Sequence, residues 1–316
     1  MKRPMSGTFF SILPVFAIIL IGYLAACWGA VPASVNRDLN RFVVWIALPA
    51  LMFHIVATTD WHQLWDVDFV IASLAGSLIT LALGTGIGRL RGLSIADMAV
   101  DGLNASYSNS AYIGLPLFLL AMGPRAAPYV IIGATVTLMA QFACGVVLIE
   151  LGHHRHLGVG HALGKAATSM ARNPVLVGPV LGFFWWLTGW TLPAPLEQCT
   201  RMLGAAASPT ALVAIGLFLA ERPLVEAVSN RFVLMLTAAK LIFHPAITAL
   251  IAYPLLGMSS FTAAMVVAIA ALPTGTGPFM VAAFYARDGK VTSGTILLST
   301  MLSVLSLTAI LSLLPR

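Results

Sequence analysis

Apolar stretches of about 20 residues recur ten times along this chain, and nearly every charged side chain falls between them. They occupy 8–28, 39–59, 69–88, 102–121, 126–149, 173–191, 202–220, 232–252, 261–284 and 292–314. A helix rises about 1.5 Å per residue, so each stretch is long enough to cross the ~30 Å hydrocarbon layer of a bilayer. Hydrophobic residues make up 59% of the 316 residues and charged residues only 9%. Soluble domains carry about 25% charged residues. A soluble core of this chain length could not hide so much apolar side chain. The pattern predicts an all-α polytopic membrane protein of ten transmembrane helices, with the lipid bilayer as its solvent. The start, Met1-Lys2-Arg3 before an apolar run, also has the form of a signal peptide. The run from Phe9 to Trp28 is long enough to span, and it is read as the first span.

The formal net charge is +6. No basic face or stripe exists to meet a nucleic acid, so none is expected as a partner. Eleven Lys and Arg residues, among them Arg37, Arg41, Arg89, Arg91, Arg155, Lys165 and Arg287, follow the odd-numbered spans. The other side has five, Lys2, Arg3, Arg125, Arg201 and Arg316, with the acidic Asp60, Asp66 and Asp68. The positive-inside rule then places the odd loops in the cytoplasm and both termini outside. Lys2 and Arg3 pull the other way. Cys27, Cys144 and Cys199 are widely separated and form no CxxC pair. The histidines of 150–172 (His153, His154, His156 and His161) read as part of a solvated linker, not a metal site.

Five spans precede that linker and five follow it. An odd number per half inverts the second half relative to the first. The expected organisation is one five-helix repeat at 1–149, a cytoplasmic linker at 150–172, and an inverted five-helix repeat at 173–316. Inverted repeats place a transporter's site near the midplane, at discontinuous helices. Weak echoes support the repeat. Pro49 interrupts span 2 and Pro209 span 7, while Pro116 interrupts span 4 and Pro273 and Pro278 span 9.

Span 4 is the most polar. From Asn104 to Pro116 it holds two asparagines, three serines and two tyrosines. Such groups are costly in hydrocarbon unless partnered or facing a cavity. Pro116 lacks the amide proton its helix needs, and Gly114 loosens the turn beside it. The expected result is a broken helix with Asn109, Ser110 and Tyr112 near a substrate. The other reading is polar packing between helices. Span 9 repeats the logic: Pro273, Gly275, Gly277 and Pro278 cannot form a regular helix centre, and Thr274 and Thr276 add hydroxyls. Lys240 lies midway through span 8, with His244 on the same face. An ammonium at that depth should face protein or water. It is a candidate contact for an anionic substrate or a structural counter-charge, with Asp101 as its candidate acidic partner. Gln141 is a candidate for lining the cavity. No nucleophile–base spacing, phosphate loop or HExxH occurs, so neither an enzyme nor a cofactor is expected.

At this point the chain resembles the auxin efflux carrier family of permeases, which includes bacterial carriers of malonate and other organic acids. The segments that carry the resemblance are NRFVVWIALPALMF (40–53), NSAYIGLPLFLLAMG (109–123), ARNPVLVGPVLG (171–182), AAASPTALVAIGLFLA (205–220) and ALPTGTGPFMVAAFYARDG (271–289). The resemblance implies a fold similar to bile-acid symporters and sodium–proton antiporters. Broken helices 4 and 9 would cross at prolines, with Asn109 and Pro116 on one crossover and Pro273 to Pro278 on the other. It implies a scaffold domain of helices 1, 2, 6 and 7, which is also the candidate homodimer surface. Helices 3–5 and 8–10 would form a transport domain that moves as an elevator. Tyr112 stands where many relatives have a small residue, and the Thr-Gly-Thr-Gly-Pro filling of span 9 is unusual, so pocket size is expected to differ. The leading expectation is a secondary carrier of small mono- or dicarboxylates in the cytoplasmic membrane. The alternative is a sodium-coupled symporter of bile-acid-like anions, and a third class is a non-transporting sensor or channel.

Overall fold

The computed structural model describes residues 5–32, 34–58, 66–153, 174–220 and 224–313, with residues 160, 164 and 167–168 between them. Lys2, Arg3, Asp60, His154, Arg155, His156, His161, Lys165, Arg172 and Arg316 lie outside the described residues. The described residues are mainly helical. In order, the helices are α1 (Met5–Cys27), α2 (Val35–Thr58), α3 (Val67–Leu90), α4 (Ile95–Ser106), α5 (Ser110–Met122), α6 (127–153) and α7 (Pro174–Leu187). There follow α8 (Ala194–Ala220), α9 (Leu224–Ser229), α10 (Arg231–Leu255), α11 (Ser260–Ala270), α12 (Gly277–Phe284) and α13 (Lys290–Leu313).

The expectation of ten transmembrane helices in two inverted five-helix repeats is corrected. Among the described residues, five helices are long and apolar enough to cross a membrane: α2, α3, α8, α10 and α13. The chain is a polytopic all-α membrane protein. The other windows hold shorter apolar helices, such as Ser110–Met122, Phe142–Gly152, Val177–Leu187 and Ser260–Ala270. The reason is physical. A hydropathy window counts apolar residues but is blind to where the backbone ladder stops. Windows 102–121 and 261–284 each contain such a stop, and each is divided into two shorter helices.

Helix starts follow local chemistry. A side-chain oxygen at the cap takes up an amide that has no partner within the helix. Asp66 accepts from Phe69 N at 3.1 Å to open α3, and Asn230 accepts from Phe232 N at 3.0 Å to open α10. Asp66→Ala is expected to cost about 1 kcal/mol, and Asp66→Asn a few tenths. Denaturant titration in detergent checks this, and equal losses for the two variants would count against the cap.

Helices that are apolar on all sides have no amphipathic stripe to select a contact face. Glycines select it here, because small residues let backbones approach closely. A Cβ on Gly216 of α8 would overlap the carbonyl oxygen of Ile19 in α1, and one on Gly178 of α7 would overlap that of Pro49 in α2. Helices α1, α2, α7 and α8 are thereby packed backbone to backbone. Gly84 and Gly102 do the same for α3 and α4, where a Cβ on Gly84 would lie 2.7 Å from Asp101 O.

Candidate functional site

Two of these helices stop inside the protein. Helix α4 ends at Ser106 and α5 begins at Ser110; α11 ends at Ala270 and α12 begins at Gly277. The two gaps lie against each other. Ser108 and Thr274 form an antiparallel bridge. Asn109 N donates to Pro273 O at 2.9 Å, and Gly275 N donates to Tyr107 O at 2.9 Å. Each break therefore satisfies backbone groups of the other, which is how irregular backbone is tolerated away from water.

Side chains fasten the crossing. Thr274 Oγ1 donates to Asn104 O at 2.8 Å. Thr274 N donates to Ser299 Oγ of α13 at 3.1 Å, and Asn104 Nδ2 donates to Thr292 Oγ1 at 3.0 Å. Gln141 Nε2 donates to Ser106 O at 3.1 Å, and Lys240 Nζ donates to Ala270 O at 2.6 Å.

The first break lies earlier than Pro116 suggests. The chain leaves the helix at Tyr107–Asn109, and Pro116 is the second residue of the regular Leu115–Met122 stretch. The missing amide is absorbed by a widened turn, Ser110–Gly114, in which Leu115 N reaches back to Ser110 O. Such i→i+5 turns concentrate at functional sites. Serine and asparagine at 108 and 109 compete with the helix for backbone bonds, which favours the break there.

A cavity of about 70 Å³ opens beside the crossing. Its polar lining is Ser108, Asn109, Ser110, Thr137 and Thr276, and its aromatic lining is Tyr107, Tyr112 and Phe142. Val44 and Leu48 of α2, with Ala111 and Ala134, give it apolar walls, and Gly275 and Gly277 close it at the start of α12. Ser108 Oγ, Asn109 Nδ2 and Ser110 Oγ are buried and have no protein partner. Most buried polar atoms are bonded, and three orphans on consecutive residues set this cavity apart.

Of the residues expected from sequence, Asn109, Ser110, Tyr112 and Thr276 line this cavity. Pro273, Thr274 and Gln141 hold the crossing together, and Pro116 and Pro278 sit in the first turns of the regular helices beyond it. Lys240 is fully buried and is not among the lining residues; His244 Nδ1 lies 3.2 Å from its Nζ, and Ser77 Oγ is 3.4 Å from His244 Nε2. Asp101 is not its partner, because Asp101 is bound by Arg91 at 2.5 Å. Tyr107, Ser108, Thr137, Val44 and Leu48 also line the cavity and are not among the residues expected from sequence. Tyr107 and Ser108 carry a signal in the sequence: they adjoin Asn109 in a stretch where a break lets consecutive side chains face one space.

A sequence model of the family described as "Membrane transport protein" matches residues 8–158 and 159–311. The chain is 32% identical over 305 residues to the "Putative malonate transporter" of Rhizobium meliloti, covering 96% of this chain and 94% of that one. It is 26% identical over 311 residues to an "Uncharacterized transporter" of Methanothermobacter thermautotrophicus, covering 95% and 96%. It is 24% identical over 154 residues to "Auxin efflux carrier component 8" of Arabidopsis thaliana, covering 48% of this chain and 42% of that one.

Proposed function

We propose, from the premise that this chain belongs to the membrane transport protein family that includes auxin efflux carriers, that it carries small carboxylates across the cytoplasmic membrane. The observation that carries this reading is the set of three orphaned atoms at the crossing, on Ser108, Asn109 and Ser110. The asparagine amide can only donate through its nitrogen, and both hydroxyls can donate. Helices α5 and α12 also begin at this cavity. A helix start carries roughly half a positive charge and unpaired amides, which favour anions. Among the described residues no Asp or Glu lines the cavity, so a cation would find no counter-charge there. Among the described residues no Lys or Arg lines it either, so no ion pair would hold the solute against release. The apolar wall of Val44, Leu48, Ala111 and Ala134 suits the hydrocarbon part of a short carboxylate. The similarity to a malonate transporter homologue makes malonate the first substrate to try.

The mechanism proposed is an elevator. The unit built on α3–α6 and α10–α13 would carry the crossing past a scaffold of α1, α2, α7 and α8, which also offers the surface for a homodimer. One feature supports this division: among the described residues, α2 touches the cavity through Val44 and Leu48 alone, while the rest of the lining comes from α5, α6, α12 and the two breaks. Export of an anion would draw on an inside-negative potential, about 2.3 kcal/mol per charge per 100 mV. Both termini are proposed to lie outside.

Counterflow in proteoliposomes with radiolabelled malonate, succinate and acetate tests the substrate class. Saturable flux that persists without sodium is expected. Flux that needs sodium, or that favours cations, would sink the reading. Membrane-impermeant labelling of a cysteine added at the N-terminus of intact cells tests the orientation, and protection there would reverse it.

A further inference from the structure

The crossing brings together four helix ends, two of each polarity. The starts of α5 and α12 meet the cavity, and the last turns of α4 and α11 stop beside them. A helix end carries roughly half a negative charge on its unpaired carbonyls. Left bare, the ends at Ser106 and Ala270 would offset the positive starts of α5 and α12 and repel an anion. Neither is bare. Gln141 Nε2 bonds Ser106 O at 3.1 Å, and Lys240 Nζ bonds Ala270 O at 2.6 Å.

Both donors are fully buried, and neither lines the cavity. Each comes from a helix outside the crossing, Gln141 from α6 and Lys240 from α10. Each sits in a widened turn, Thr137–Gln141 and Ala239–Phe243. Lys240 has no carboxylate partner among the described residues, where the ion pairs are Arg91 with Asp101 and Arg287 with Asp97. Its polar neighbours are the Ala270 carbonyl and His244. A buried lysine without a carboxylate is expensive to keep charged, and the carbonyl it bonds is the one at the negative end of α11.

We infer that Gln141 and Lys240 are positioning residues that set the sign of the cavity: each masks the negative end of one interrupted helix, so that the bound solute meets positive helix starts alone. The arm of the test that uses malonate rests on the anion reading above, and the other arm does not.

A single cysteine at position 110, the first residue of α5, serves as a reporter. It is made as S110C in a chain with Cys27, Cys144 and Cys199 replaced by serine. A thiol at a helix start titrates low, and the pH dependence of its alkylation by iodoacetamide reads the local potential without a ligand. K240M and Q141L are each expected to raise that midpoint by about one pH unit. In the same two substitutions without the reporter, malonate affinity by calorimetry should weaken about tenfold, which is a difference of one such pH unit in free-energy terms. K240R, which keeps the charge and the donor, should restore both readings. Q141L decides the matter if K240M does not fold. Folded variants whose thiol midpoint does not move would overturn the inference. Loss of malonate binding with an unmoved midpoint would also overturn it, because a merely structural role predicts that result. If the unsubstituted protein binds no malonate, succinate or acetate, the anion reading fails, and the thiol titration still decides the role of the two caps.

Discussion

Asn109→Ala is expected to lower the specific flux of malonate by about tenfold to a hundredfold while making the solute-free protein slightly more stable. The two effects have one cause. Asn109 contributes backbone and side chain separately. Its amide donates to Pro273 O at 2.9 Å, and its carbonyl accepts from Ile113 N and Gly114 N at 3.2 and 2.9 Å. Alanine keeps all of these, and the backbone there (φ −78°, ψ 56°) is open to it. What alanine removes is Nδ2, which is buried with no protein partner. A hydrogen bond to a charged group contributes about 1.5–3 kcal/mol, and a buried orphan donor costs about 1–3 kcal/mol. The first figure is lost from the complex, and the second is relieved in the free protein. Asn109→Asp should be worse for flux than alanine, because it places a carboxylate against the anion. Proteoliposome flux and melting temperature in detergent, measured on the same preparations, check the pair. Unchanged flux in the alanine variant would remove Asn109 from the site. A lower melting temperature with lost flux would make it a structural residue instead.

The places where the sequence was readable are those where hydrocarbon penalises a residue type. Polar side chains packed into 104–116 and prolines and glycines packed into 273–278 are tolerable in a membrane only at special backbone. Both stretches proved to be breaks, and Asn109, Ser110, Tyr112 and Thr276 line one cavity. Position along the helix was legible too, but azimuth was not. Lys240 and Gln141 lie at the level of the crossing, yet their tips bond to Ala270 O and Ser106 O behind it. Widened turns at 137–141 and 239–243 rotate those side chains off a regular helical register, and no periodicity argument anticipates that. Val44 and Leu48 were invisible for the opposite reason, since nothing separates them from any other apolar residue of α2 until α5 is seen against them. The count of spans failed where the same breaks succeeded. A polar or proline-rich interruption that locates the site also shortens the helix on either side of it, so windows that look continuous in hydropathy hold two short helices each.

Gly277→Val is expected to abolish measurable flux, and adding Tyr107→Ala is expected to bring part of it back. Gly277 begins α12, and the ring of Tyr107 lies directly on it: a Cβ at 277 would sit 2.5 Å from Tyr107 Cζ and 2.8 Å from its hydroxyl oxygen. Gly275 is similarly close, with a Cβ 3.0 Å from Tyr107 Cδ1. The ring is hemmed in along its length, so it cannot yield by a small rotation. Its own backbone is pinned by the bond from Gly275 N to Tyr107 O at 2.9 Å. A side chain at 277 must therefore push the ring into the cavity that Tyr107 lines or pull the bridge between the two breaks apart. Overpacking of this kind costs about 1–3 kcal/mol in stability, and here the displaced atoms are also those that shape the site. Tyr107→Phe should give no relief, since Cζ remains, whereas Tyr107→Ala removes the colliding atoms. The signature is non-additivity: a coupling between positions 107 and 277 of about 0.5–3 kcal/mol in a double-mutant cycle on stability, with flux higher in the double variant than in Gly277→Val alone. Additive losses would mean that the ring is free to move aside and that the opening of α12 is not shaped by it.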